Sequence, residues 1–203
     1  MDSCLSKKEI DALNKILMFW FGKPNNFEKW FTNGKKHDKS IKSQFKNILK
    51  SAEKGNLLHW LGNDRSYLAM IILLDQFSRY IYRDTKYAFK NDKKARLFME
   101  MGLDLHLDKF NAEEKMFVLM PYQHSENLED QKFGYRMLRN LIKKEKDQKE
   151  KNILKKSLYH QKNRLKIISS FKRFPSRNYI LGREPSESEI DFLDEHDNYD
   201  YTY

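Results

Sequence analysis

Five of the ten arginines in this 203-residue chain fall in two short stretches, although the chain carries 29 lysines. Arg79 and Arg83 lie in the first stretch; Arg173, Arg177 and Arg183 lie in the second. Guanidinium is the cation suited to planar, two-point capture of a carboxylate or phosphate, so its selection where lysine is the local habit points to anion recognition. Asp75, Arg79 and Arg83 are spaced i, i+4, i+8, which on a regular helix places them within about a 40° stripe of one face. They follow directly on the most apolar segment of the chain, where charges must be paired with one another or with a ligand. A plain Asp75 to Arg79 salt bridge is the structural alternative, since i, i+4 pairs are common on helices.

Two further motifs carry polar groups. Pro121 to Glu126 places an imidazole (His124), a hydroxyl (Ser125) and a carboxylate (Glu126) at a helix break, where side chains and backbone N–H groups converge. Ser125 has the alternative role of helix N-cap, and His124 that of a satisfied buried histidine. The segment Phe171 to Arg183 brings three arginines into a loop anchored by Phe174 and the rigid Pro175. The expected site therefore combines Asp75, His124 and Glu126 as candidate acid–base groups with a ligand-binding set. Arg79, Arg83, Arg173, Arg177 and Arg183 supply charge, and Gln76, Tyr82, Ser125 and Asn178 supply orientation. No metal and no cofactor is expected.

Helices must position these groups. Only 7 Gly and 4 Pro punctuate the chain, and no run alternates long enough for a strand. Ser6 followed by Glu9 has capping-box spacing, and Ile10, Leu13, Ile16, Leu17 and Trp20 recur at helical intervals until Gly22 and Pro24. Asp38 opens a second helix that Gly55 closes. Asn63 or Asp64 opens a third, apolar on nearly every side from Tyr67 to Phe77, which reads as the buried centre. A fourth runs from Asp92 with Gly102 as its stop, and Asn111 caps a short one that Pro121 interrupts or kinks. Stretches 126–144 and 148–171 read as an antiparallel pair, and Ser186, with Glu187 and Glu189 in the first turn, signals a last short helix. The expectation is an all-α fold of stacked antiparallel hairpins, about seven to nine helices in one domain over 1–193, with a mobile tail at 194–203.

Bulk properties narrow the partners. The net charge is +10, yet the lysines are interleaved with acids, as in Lys143–Asp147, which is the pattern of a solvated surface rather than a nucleic-acid interface. No apolar run reaches the ~20 residues of a membrane span, and a single Cys4 suits a reducing compartment, so a cytoplasmic protein is expected. The oligomeric state is not legible.

The blocks Phe19–Gly22, Leu73–Arg83, His124–Glu126 and Arg173–Asn178 with Leu181-Gly182-Arg183 resemble the signature of the domain of unknown function 924 family. Their order and spacing match along nearly the whole chain. The resemblance implies a tetratricopeptide-like all-α fold whose motif residues line a common cavity, and it implies no established activity. Ser78, Tyr80, Ser176 and Arg164 depart from the family pattern; the last two stand where histidines are usual, which weakens a multi-histidine metal site. Three functional readings follow. They are a pocket for a small anionic molecule or a peptide carboxylate, a hydrolase or transferase using His124 or Glu126 as general base, and a helical scaffold for a partner. The scaffold would expose Phe27, Trp30 or Trp60. Against all three stands a cluster of buried salt bridges that only ties the motifs together.

Overall fold

The computed structural model describes residues 5–22 and 34–196. Cys4, Pro24, Phe27, Trp30 and the tail beyond His196 lie outside the described residues. Among those described, the secondary structure is helical throughout, with no strand. The chain divides into two compact units: residues up to Arg83 together with Tyr87–Phe110, and Asp84–Lys86 together with Asn111 onwards.

In the first unit, α1 (Lys7–Phe21) begins at the expected capping box: the Ser6 side chain accepts from the Glu9 N–H while Glu9 reaches back to Ser6. Its buried row is Leu13, Ile16, Leu17 and Trp20. Helix α2 (Asp38–Glu53) buries Ile41, Phe45, Leu49 and Ala52. Helix α3 (Asp64–Ile71) is capped by Asn63, whose side chain accepts from the N–H groups of Arg65 and Ser66. It runs on through a π-helical turn (Ile72–Phe77) into α4 (Ser78–Ile81), and every side chain from Ser66 to Ile81 is buried. This is the all-round apolar centre that the sequence implies. Phe45 and Phe77 pack with ring centroids 4.6 Å apart, and Trp20 lies 5.6 Å from Phe77.

Helix α5 (Asp92–His106) does not stop at Gly102 but continues to His106. Gly102 serves close approach instead: a β-carbon there would lie 2.4 Å from the Tyr67 ring. Beyond it, Leu103 and His106 keep the buried face going, and the His106 ring sits between the Asp64 carboxylate (2.6 Å) and the Leu61 carbonyl (2.8 Å). Trp60 is fully buried, the opposite of what a scaffold surface would require.

In the second unit, α6 (Ala112–His124) starts at an Asn111–Glu114 capping box and contains Pro121 without interruption. Proline removes one backbone hydrogen bond. Burial of every side chain from Met116 to His124 outweighs that loss. The break falls at 125–127, and α7 (Leu128–Lys144) is capped by Asn127 rather than Ser125. A three-residue link leads into α8 (Gln148–Phe171), which packs along α7 as the expected hairpin. Lys172 closes α8 at φ 60°, turning the chain into the arginine-rich loop. There α9 (Asn178–Leu181) and α10 (Glu187–Glu195) follow, and Ile167, Ile168 and Phe174 form a small core with Leu128, Phe171 and Phe192.

Gly134 marks the tightest packing of this unit. A β-carbon on it would fall 2.8 Å from Tyr122 Cβ and 2.9 Å from Gln161 Oε1. Gly134→Ala is expected to lose about 1–3 kcal/mol through forced separation of α7 from its neighbours, despite alanine's better helix propensity. Thermal unfolding of the variant checks this; a rise in Tm would show that the helices can part at no cost.

Candidate functional site

The first motif is built on the π-turn. The extra residue in that turn breaks the 3.6-residue period, so the stripe expected for Asp75, Arg79 and Arg83 is not kept. Asp75 and Arg79 remain neighbours, with Oδ1 3.7 Å from Nη2, and Gln76 Nε2 donates to Asp75 Oδ2 at 2.6 Å. Arg79, fully buried, donates through Nη1 to Asp92 Oδ1 (2.8 Å) and to the Ala88 carbonyl (3.2 Å). Arg83 lies beyond the last helical turn. Its guanidinium grips Asp38 with two hydrogen bonds, 2.6 and 3.0 Å, and stacks 4.9 Å over the Tyr80 ring. Tyr82 donates to Glu53 at 3.3 Å. Within this unit the motif is an ion-pair network that fastens α2, α4 and α5.

The second and third motifs meet in the second unit. Glu126 binds Arg183 in two-point fashion, Oε2 to Nη1 at 2.8 Å and Oε1 to Nη2 at 3.0 Å, and also accepts the Phe174 N–H at 2.8 Å. Arg183 Nη2 donates in addition to the Phe174 carbonyl at 3.0 Å. Burial pushes the Glu126 carboxyl up, but the Arg183 hydrogen bonds, the Phe174 amide and the nearby Arg177 charge hold it below the usual carboxylate range. A carboxylate held this way anchors the loop. Arg177 donates from Nη2 to the His124 carbonyl (3.1 Å) and lies 4.6 Å over the Phe174 ring. Ser125 donates to Asp130 at 2.5 Å and accepts the Asn127 N–H.

Arg173 takes a partner that the spacing did not suggest. Nε and Nη2 donate to the two oxygens of Glu189 at 2.6 and 2.7 Å, and Nη2 also reaches the Glu184 carbonyl at 2.8 Å. In the sequence, Glu189 reads only as a first-turn residue of the last helix. Its Ser186-x-x-Glu189 spacing is a capping box and is the signal that could have located it. The Arg173 pair, aided against burial by the Ser186 N–H and the Asn178 amide, holds the Glu189 carboxyl down at about 2.

This yields a pH prediction. A carboxyl whose folded value lies below its unfolded value of 4.5 contributes stability above 4.5, and loses it as pH falls toward the folded value. Helix α10 is therefore expected to loosen between pH 4.5 and about 2. The protection of the 187–195 amides relative to their intrinsic exchange rates should fall across that range in the wild type and be low already at pH 6 in Glu189→Gln. Equal protection of the two proteins at pH 6 would refute it.

Between 175–185 and α10 lies a cleft of about 420 Å³. Pro175, Pro185, Ile190 and Leu193 give it apolar walls, and Tyr179, 96% exposed, stands at its edge. Ser176, Asn178 and Arg183 line it with polar groups. Asn178 is only 3% exposed, and although its amide is near enough to Glu189 to lower that carboxyl, neither amide atom closes a hydrogen bond of ordinary geometry. Ser176 Oγ and Arg183 Nε are likewise buried with no hydrogen-bond partner among the described residues. In the sequence, Ser176 stands out only as a departure from the pattern of the family that the chain resembles. No group of three or more His, Cys, Asp or Glu residues is arranged to hold a metal among the described residues. No helix there is long and apolar enough to cross a membrane.

The sequence profile of a bacterial protein family of unknown function, DUF924, matches residues 16–197. A solved structure of a protein of unknown function from Agrobacterium tumefaciens is similar, with 27% identity and a TM-score of 0.80; the match covers 92% of this chain and 98% of that one. No curated protein matches the chain.

Proposed function

We propose, for a chain that belongs to the DUF924 family of bacterial proteins of unknown function, that it binds a small carboxylate-bearing molecule or peptide end in the cleft beside α10. One observation carries the reading. Ser176 Oγ, the Asn178 amide and Arg183 Nε put three buried polar groups that close no hydrogen bond among the described residues against a single cleft. Buried polar atoms are ordinarily satisfied, and one left open is costly. The Ser176 hydroxyl, the Asn178 Nδ2 amide and Arg183 Nε are all donors, the complement of an anionic acceptor.

The reading differs from simple capture by an arginine cluster. Arg79, Arg83, Arg173 and Arg183 already carry Asp92, Asp38, Glu189 and Glu126. Their charges are largely neutralised by the protein's own carboxylates, so a ligand meets one remaining N–H and two neutral donors. A cleft of this volume is in the range of small-molecule sites, and its apolar walls suit the body of a ligand whose head is polar. The three polar groups are covered, so a ligand that reaches them must ease α10 aside, against the Arg173–Glu189 pair.

Thermal-shift screening against organic acids, phosphorylated metabolites and acidic peptides tests this. A carboxylate ligand at a hundredfold excess over its Kd is expected to add about 2.7 kcal/mol to the wild type. Asn178→Ala and Ser176→Ala are expected to fold and to lose most of that gain. If no carboxylate stabilises the wild type, or the gain survives both substitutions, the reading falls.

A further inference from the structure

The lining of the cleft carries charge of both signs. Arg183 stands with Ser176 and Asn178, while Glu184 and Asp194, both exposed, also line it. A ligand that is only an anion would be attracted by the first group and repelled by the two carboxylates. A ligand that is only a cation would leave the Ser176, Asn178 Nδ2 and Arg183 Nε donors without an acceptor. The apolar walls formed by Ile190 and Leu193 select for a hydrocarbon side chain; Ile190 is still 45% exposed.

Resting on the carboxylate reading above, we infer that the ligand is a zwitterionic α-amino acid with an apolar side chain. Its carboxylate takes the Ser176, Asn178 Nδ2 and Arg183 Nε donors. Its ammonium takes the carboxylates of Glu184 and Asp194 and the open acceptor Asn178 Oδ1, an atom that no purely anionic head group satisfies. Its side chain lies on Ile190 and Leu193. A molecule that carries a carboxylate, an ammonium and a hydrocarbon side chain offers a complement to each of the three kinds of lining. An ammonium loses fewer contacts on leaving water when two carboxylates and an amide oxygen replace its hydration.

Isothermal titration calorimetry on the full chain separates the possibilities by dissecting the ligand. L-leucine is the probe, compared with 4-methylpentanoate, which lacks the ammonium, 3-methylbutylamine, which lacks the carboxylate, and L-serine, which lacks the apolar side chain. Leucine is expected to bind at least tenfold more tightly than each of the others. The double variant Glu184→Gln/Asp194→Asn, at two exposed positions, is expected to weaken leucine at least tenfold while binding 4-methylpentanoate no more weakly than the wild type does, since the repulsion of its carboxylate goes with the two charges. Binding of 4-methylpentanoate as tight as that of leucine overturns the amino-acid inference and leaves the carboxylate reading standing. An unchanged leucine affinity in the double variant overturns the inference too. Absence of leucine binding overturns the inference as well, while the carboxylate reading falls only if no carboxylate in the thermal-shift screen stabilises the protein.

Discussion

Arg79→Ala is expected to lower the stability of the first unit by about 4 kcal/mol, because it removes the buried cation that faces the Asp75 and Asp92 carboxylates. The Arg79 side chain is 1% exposed, Asp75 fully buried and Asp92 15% exposed. For a chain of this size such a loss lowers Tm by roughly 8–16 °C, a large part of the whole for a protein of ordinary stability. Arg79→Lys is expected to recover little. A point-charge ammonium cannot reach Asp92 and the Ala88 carbonyl with the planar fork that Arg79 uses, while also lying beside Asp75. The triple variant Asp75→Leu/Arg79→Met/Asp92→Asn, which removes the charges together, is expected to regain most of the lost stability, since the desolvation cost goes with them. Denaturant unfolding of the three proteins decides it. A loss under 1 kcal/mol for Arg79→Ala would mean that water reaches the carboxylates.

The second large effect is expected at Glu126. Glu126→Gln keeps the shape but removes the charge that Arg183 grips at two points and that the Phe174 N–H addresses. A loss of about 3 kcal/mol is expected, with faster tryptic cleavage after Lys172 or Arg173 as the loop detaches. The pH dependence has a definite sign. The folded Glu126 carboxyl lies below its unfolded value of 4.5, so its contribution is complete above that pH and fades as pH falls further. The stability difference between wild type and Glu126→Gln should therefore be constant from pH 6 to 8 and shrink below 4.5. A difference that does not depend on pH would assign the loss to packing rather than charge. Because Arg183 also lines the cleft, this variant reports on the frame of the proposed site and not on ligand contact.

These two networks explain why the five arginines do not act together as a site for anion capture. Guanidinium groups that already hold carboxylates have little attraction left for a ligand at a distance, and displacing the internal partner would strand it. The open donors are those of side chains that carry no charge, Ser176 and Asn178, plus the one Arg183 N–H that its two-point grip on Glu126 does not use.

Much of the frame is determined by the sequence alone, because helix ends and helix faces are local properties. Ser6 with Glu9, Asn63, Asn111 and Ser186 cap helices where their side chains can reach an N–H two or three residues on. The apolar run from Tyr67 to Phe77 had to be a core because no face of it could be left in water. That Glu126 and the Arg173–Arg183 loop come together was legible from residue types and from family resemblance.

The rest was decided by tertiary packing. Pro121 stays inside a helix and Gly102 continues one, because burial and close approach outweigh local propensity there. The π-turn at Ile72–Phe77 removes the regular stripe on which the first motif was drawn. Above all, the ion-pair partners Asp38, Asp92 and Glu189 lie 45, 13 and 16 residues from their arginines. Local spacing can suggest an i, i+4 pair such as Asp75 with Arg79. Which distant carboxylate neutralises an arginine depends on how helices cross, and that choice is what leaves Ser176, Asn178 and Arg183 Nε open beside the cleft.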